Sequence, residues 1–359
     1  MLQKSYLGSN GTGKLKLGKY PYAYARVSVM RSSLLRKDDY AKLMKMNTNE
    51  IIGYLENSQY RKEIDELAVQ FKGVQLMELS LNRNLANTWA KLRRISPDSL
   101  RSLISVYLLR VDVLNLKTII RAKYTKLDLA QLPAMLLPSG YLNEKKLAEL
   151  ARKDSIEEIL KSAGFIDFSY FSEALESFKS AKSIAEIENV LDRHYYSAMI
   201  KLSGRLPNEG RLFREFVELE LAINTIINIL RLKRASVSAK DIESKVKLPQ
   251  ADRALFRKMV NAASAGDAAN LLLTRFKQIV EDGVNEFISN GSLIKLELDL
   301  SRHLLRRSML LIHQHPLSVD VILGYMFAKE IEVRNIKMLL KARQLGLTDD
   351  FIGQQIVMM

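Results

Sequence analysis

The sequence contains no cysteine. That absence excludes a disulfide scaffold, thiol catalysis and cysteine-ligated zinc or iron–sulfur sites, and it fits a reducing compartment. Glycine and proline are scarce, 16 and 7 in 359 residues, about half the usual joint share of roughly 12%. A strand-rich fold needs many Gly/Pro turns, so the shortage points to long helices and argues against an all-β protein. Long apolar runs are missing too. The best candidate for a membrane span, Val319 to Ala328, stops after ten residues and contains Asp320, whereas a span needs about 20. No N-terminal stretch combines a charged start, an apolar run and a small-residue cleavage site. The expectation is a protein that is soluble or at most peripheral to a membrane.

What is present is a core-forming composition with an excess of base. Hydrophobic residues make up 47% and charged residues 26%, the balance of a globular protein of two to three domains. The net charge of +15 favours an anionic neighbour such as nucleic acid, an anionic membrane face or an acidic protein. The bases are dispersed. Their densest groups, Lys91-Leu92-Arg93-Arg94, Arg231-Leu232-Lys233-Arg234 and Arg306-Arg307, read as solvated helix faces.

The chain repeats itself. Glu78-x-x-Leu81-x-Arg83-x-Leu85 returns as Glu188-x-x-Leu191-x-Arg193-x-Tyr195 and again as Glu297-x-x-Leu300-x-Arg302-x-Leu304. A second, basic motif comes after each arginine. It runs from Asp112 through Asn115, Lys117 and Arg121 to Lys123 in the first copy, and from Glu332 through Asn335, Lys337 and Lys341 to Arg343 in the third. The middle copy is degenerate, with Ala222, Thr225 and Ile227, but keeps Arg231 and Lys233. Two motifs with one shared spacing make the chain a triplicated unit. Its period is too long for a solenoid repeat, so each unit is domain-sized. Leu137-Pro138 and Leu248-Pro249 read as helix stops and linkers, which places the units at residues 1–130, 131–240 and 241–359.

Within a unit the pattern is helical. Ile104, Leu108, Val111, Leu114 (or Asn115) and Thr118 or Ile119 follow the i, i+3, i+4, i+7 stripe, and Ser155-Ile-Glu-Glu158 reads as a capping box. Tyr20 to Val29 alternates like a strand, yet Tyr24, Val27, Met30, Arg31, Leu34 and Leu35 fit a helix face, and helix is the reading adopted. The fold class expected from the residues is all-α.

Candidate chemistry is thin. Gly8-Ser-Asn-Gly11-Thr-Gly13-Lys14 has the glycine spacing of a phosphate-binding loop, but Leu15 stands where the magnesium-binding hydroxyl belongs. No buried strand can precede it, so the first 17 residues read as a flexible terminus. His313 and His315 lack a neighbouring carboxylate and sit before Pro316; no metal site is assigned. His194 and His303 are repeat equivalents, which suggests a structural role. The repeat motifs carry the strongest signal. On a helix Asp112 and Asn115 share a face, as do Lys117 and Arg121. One reading makes the basic edges (Lys117, Arg121, Lys123, Arg231, Lys233, Lys337, Lys341 and Arg343) a contact surface for an acidic partner. The other, preferred here, pairs Arg83 with Asp112 and Arg302 with Glu332, and Arg193 with Glu218 in place of the missing acid, each clamping two helices of one unit. No catalytic set, cofactor site or metal site emerges, and no enzyme is expected. A basic helical scaffold for nucleic acid is the alternative reading. It would need the bases gathered on one concave face.

The repeats resemble a known family, the C subunit of the archaeal-type (A/V-type) rotary ATP synthase, related to the d subunit of the vacuolar proton ATPase. The likeness rests on Tyr22-Ala-Tyr24-Ala-Arg26-Val-Ser-Val-Met30-Arg-Ser-Ser-Leu34-Leu35, on the basic helix Asp112 to Lys123, on Leu160-Lys-Ser-Ala-Gly164-Phe165, and on Tyr325-Met-Phe-Ala-Lys329-Glu330-Ile-Glu332-Val-Arg334-Asn335-Ile336. The resemblance implies three similar helical domains in a pseudo-threefold funnel, one copy per complex and monomeric when isolated. It implies a peripheral seat on the cytoplasmic side of the cell membrane, on the proteolipid ring, with the D and F subunits of the central stalk plugged into the funnel. The chain would then pass torque for proton-linked ATP synthesis or hydrolysis without binding nucleotide or moving protons itself, and neither a cofactor nor a nucleic-acid partner is expected.

Overall fold

The computed structural model describes residues 18–127, 132–181, 183–207, 210–246, 248–249, 252–314 and 317–357, and among these it contains helices and no strand. The glycine loop Gly8 to Lys14 and the His315-Pro316 step lie outside the described residues. Six long helices carry the repeat motifs. They are α1 (Gly73–Ile95), α2 (Asp98–Thr125), α3 (Ala185–Arg205), α4 (Arg211–Arg234), α5 (Ile294–Gln314) and α6 (Val319–Gln344). They form three successive pairs, the first member bearing the Glu-x-x-Leu-x-Arg motif and the second the basic motif. Shorter helices precede each pair. The one with strand-like alternation is Pro21–Ser32, with Ala23 and Val27 buried and Pro21 at its first turn, where the missing N–H costs nothing.

The second member of each pair is buried on several sides, which is why its apolar residues do not keep to a single stripe. The run Val319 to Ala328 is entirely buried at the start of α6, and among the described residues no helix is long and apolar enough to cross a membrane. The three basic helices also end alike. Lys126, Ser236 and Gly346 are repeat equivalents, all with φ between 55° and 68°. The amide of the following residue, Leu127, Val237 or Leu347, bonds the carbonyl of Ala122, Leu232 or Ala342 at 2.9–3.0 Å. This is the Schellman stop in triplicate, with its glycine kept only in the third copy. Ser155 caps the helix Ile156–Ala163 through the Glu158 amide at 3.2 Å, while the Glu158 carboxylate turns back to the amide of Asp154 rather than of Ser155.

The segment after α2 folds back onto it. Asn115 bonds both the N–H and the C=O of Leu137, at 2.8 and 2.7 Å, and the Asp112 carboxylate accepts the amides of Tyr141 and Leu142 at 2.8 and 2.9 Å. Gly140 passes so close that a Cβ there would stand 2.2 Å from an Asp112 oxygen. Asn335 repeats the amide bracket on Val357, with bonds of 2.8 and 3.3 Å. Thr225 has no amide with which to do so. The acid and amide of the first copy, and the amide of the third, therefore hold backbone that comes later in the chain.

Candidate functional site

The ion pairs expected inside each unit form differently. Asp112 is fully buried and bonded to backbone amides, whereas Arg83 lies half-exposed beside Glu66 and Glu144 at 3.9 and 3.7 Å. Arg302 turns to Asp299 and to the carbonyl of Gln354. Glu332 is occupied elsewhere, by the Leu35 amide, the Tyr60 hydroxyl, the Gln59 amide and Lys329. Arg193 is exposed, close enough to Glu186 to help lower that carboxyl's pKa after Lys245 and Asn189 do so against desolvation. A buried acid flanked by free amides binds them at no cost in side-chain reach, which leaves the long arginines to the surface.

The basic residues instead join one repeat copy to the next. Arg121 of α2 holds Glu188 of α3 through two bonds of 2.6 and 2.8 Å. Arg231 of α4 meets Glu297 of α5 at 2.6 Å, and Lys341 of α6 meets Glu78 of α1 at 2.9 Å. First to second, second to third, third back to first: the contacts close a cycle of three. A second layer keeps the same order, with Lys117 on Asp192 at 2.6 Å and Lys337 on the Asn82 side chain. Lys233 bonds the Ala262 carbonyl and Arg343 pairs with Asp349; of the eight, Lys123 alone has no partner among the described residues. The three cyclic pairs are half-exposed, so each contributes only about 0.2–1 kcal/mol. Their information is geometric. His194 and His303 also behave as equivalents, each against a phenylalanine, Phe165 or Phe276, with its pKa lowered chiefly by burial.

The cycle has a centre that the repeat motifs do not include. Arg110, Glu220 and Glu330 occupy equivalent positions on α2, α4 and α6, and they meet. The Arg110 guanidinium is 3.4 Å from Glu220 and also bonds Glu330, and it lies 4.4 Å over the Tyr107 ring. Burial pushes the Glu220 carboxyl up, with Arg110 pulling it back. One turn earlier on the same faces, Val106, Phe216 and Met326 are buried, and Phe216 packs edge-on against Phe327 at 5.0 Å. One turn later the contact opens: Leu114 is 56% exposed, Arg334 is exposed and Asn224 half-buried. Of the two alternatives for the helical stripe, Leu114 or Asn115, it is Asn115 that is buried. Beyond that layer come Arg121, Arg231 and Lys341, and then Thr125, Ala235 and Leu345, all exposed. The three helices thus touch at Arg110, with buried side chains on one side of that contact and more exposed ones on the other.

No cluster of metal-ligating side chains occurs among the described residues. Residues 23–355 match the family described as ATP synthase (C/AC39) subunit. Among curated proteins, the chain is 32% identical to the A-type ATP synthase C subunit of Methanosarcina barkeri, over 99% of this chain and 96% of the relative. The C subunit of Haloquadratum walsbyi is likewise 32% identical, over 94% and 97%.

Proposed function

Since the chain belongs to the ATP synthase (C/AC39) subunit family, we propose that it is the non-catalytic rotor subunit that couples the central stalk to the membrane proteolipid ring. In this reading the three repeat units stand in pseudo-threefold array as a funnel. The D and F subunits of the stalk enter from the side on which α2, α4 and α6 part, and the closed end rests on the ring at the cytoplasmic face of the membrane. Torque for proton-linked ATP synthesis or hydrolysis passes through the walls.

The observation that carries the reading is the closed cycle of contacts around Arg110. A socket that transmits torque must resist being opened by a tangential load. Three units linked in a ring share that load, whereas a row of three would hinge at its ends. The bases are dispersed along the chain, and those of the cycle are spent on contacts within it, whereas nucleic-acid binding calls for bases gathered free on one face.

The test is an affinity pull-down of the tagged chain from detergent-solubilised, nuclease-treated membranes, with mass spectrometry of the proteins recovered with it. Co-purification of proteolipid and stalk subunits is the expected result. A chain that emerges without either, and is retained on nucleic acid at moderate salt, overturns the reading.

A further inference from the structure

A socket built from three like units offers its occupant three nearly equivalent seats. A rotor part that transmits torque gains from having one, because slippage between equivalent seats loses rotation. The layers around the opening differ in this respect. The rim layer is uniform in charge: Arg121, Arg231 and Lys341 are all cationic, each paired with the glutamate of the next unit. The layer one turn beyond the central contact is not. Its three equivalents are Leu114, Asn224 and Arg334, one apolar, one amide and one cation.

These three side chains sit on the helix faces that carry Arg110, Glu220 and Glu330, four residues on and so about 6 Å further along the helices. Leu114 and Arg334 are the first side chains to be exposed beyond the central contact, with Asn224 half-buried between them, and in the socket reading this layer is the floor of the opening. Asn224 spends its amide on the carbonyl of Glu220 in its own helix, at 2.9 Å, and Leu114 offers only an apolar surface. Arg334 differs. Among the described residues its guanidinium has no carboxylate within ion-pair distance. It is exposed to solvent, yet surrounding protein desolvates it and lowers its pKa, and the Arg110 charge adds to the effect. An exposed guanidinium with no carboxylate of its own gains from an incoming anion.

We propose that Arg334 keys the socket: a carboxylate at the helical tip of the inserted stalk pairs with it and fixes one of three azimuths. The inference rests on the stalk-socket reading above. Its occupant is a helix end with an acidic residue. Leu114 and Asn224 discriminate against that carboxylate in the other two seats, the first by desolvating it without a partner and the second by offering a neutral amide, one of whose two N–H groups is already engaged, in place of a cation.

The absence of native cysteine makes the test direct. Single thiols are placed at the exposed equivalents beyond the rim, as Thr125→Cys, Ala235→Cys and Leu345→Cys, and cross-linked to one cysteine at the tip of the purified central-stalk subunits. With Arg334 in place, one of the three positions takes most of the cross-link. Arg334→Asn, which copies the middle unit, is expected to spread the product over all three and to weaken stalk binding roughly tenfold, the effect of losing one charge-assisted bond. Arg334→Lys restores the single azimuth. Even cross-linking with Arg334 present, or a single azimuth that survives Arg334→Asn, overturns the key while leaving the socket standing. Failure of the native chain to bind the stalk at all overturns both, and is seen before any cross-link is made.

Discussion

The Glu332 carboxylate accepts a hydrogen bond from the backbone amide of Leu35, 2.5 Å away and 297 residues earlier in the chain. It is the junction at which the third repeat copy meets the first. The same carboxylate takes the Tyr60 hydroxyl at 2.5 Å, the Gln59 amide at 3.0 Å and the Lys329 ammonium at 3.0 Å, and that ammonium lies 4.0 Å over the Tyr60 ring. Its counterparts do less. Asp112 holds two amides, and Ala222 can hold none. The order has a physical reason: the chain itself joins the first copy to the second and the second to the third, while the third-to-first seam has only non-covalent contacts.

Removing the acid at that seam leaves a buried ammonium without its counter-charge. Glu332→Ala is expected to cost about 3–5 kcal/mol of unfolding free energy, read from urea denaturation monitored by circular dichroism. Lys329→Leu together with Glu332→Ala copies the middle unit, where Leu219 and Ala222 stand. The double variant should recover a substantial part of the loss. If the double variant is as unstable as the single one, the buried charge is not the source of the cost.

Gly140 tests the fold-back of the segment after α2. An added Cβ would overlap the Asp112 carboxylate, which is pinned by two backbone amides. Gly140→Ala should therefore lose about 2–3 kcal/mol, within the range for overpacking a tight site. Asp112→Ala alone is also costly, because it orphans those amides. The two losses should fall well short of additive when combined, since removing the carboxylate frees the space. Additive losses in the double-mutant cycle would mean that the two residues do not share one strain.

The architecture and the site were legible in the sequence to different depths. Helical class and triplication could be read directly, because the packed face of each copy needs similar residues and similarity is what a repeat search detects. Misassigned was the partner of each motif. An acid and a base at fixed spacing look the same whether they pair within a copy or between copies: the motif glutamate Glu78, given no partner by the spacing, pairs with Lys341 of the third copy. Arg83→Ala, once its partners are the half-exposed Glu66 and Glu144, should cost at most about 0.5 kcal/mol. The central triad escaped for the opposite reason. Residues that meet at one point must complement each other, so Arg110, Glu220 and Glu330 differ where a repeat search looks for likeness. The usable signal was a position charged in all three copies but not of one sign.

Lys337 gives a pH test with a definite sign. Burial, reinforced by Lys341 and opposed by Glu78, holds its ammonium at about 8, below the roughly 10.4 of an unfolded chain. Between those values the unfolded state binds the extra proton, so stability rises with pH across the window, and the cost of burying the charge is fully present below it. Lys337→Met, near the Ile227 of the middle copy, should gain about 1 kcal/mol at pH 7, the loss of the Asn82 contact offsetting part of the benefit. The gain should shrink as pH approaches 10. A difference in melting temperature that stays constant from pH 7 to 10 would show that Lys337 is not charged against its surroundings.

The central triad allows a test that only a cyclic arrangement can pass. Because Arg110, Glu220 and Glu330 are equivalents around one contact, the arginine need not belong to the first copy. Arg110→Glu places three carboxylates together and should cost about 3–5 kcal/mol, the range for leaving buried charge uncompensated. Arg110→Glu with Glu220→Arg restores one cation and two anions, rotated by one unit, and should recover roughly half of that loss or more. Recovery will be incomplete, because the arginine at 110 also stacks on Tyr107 and the equivalent ring is absent at Val217. Moving the arginine to 330 instead should do better on that count, since Phe327 supplies a ring at the matching position. Swaps that rescue nothing would mean that the three sites are not interchangeable, and that the helices meet at Arg110 without the rotational equivalence their spacing implies.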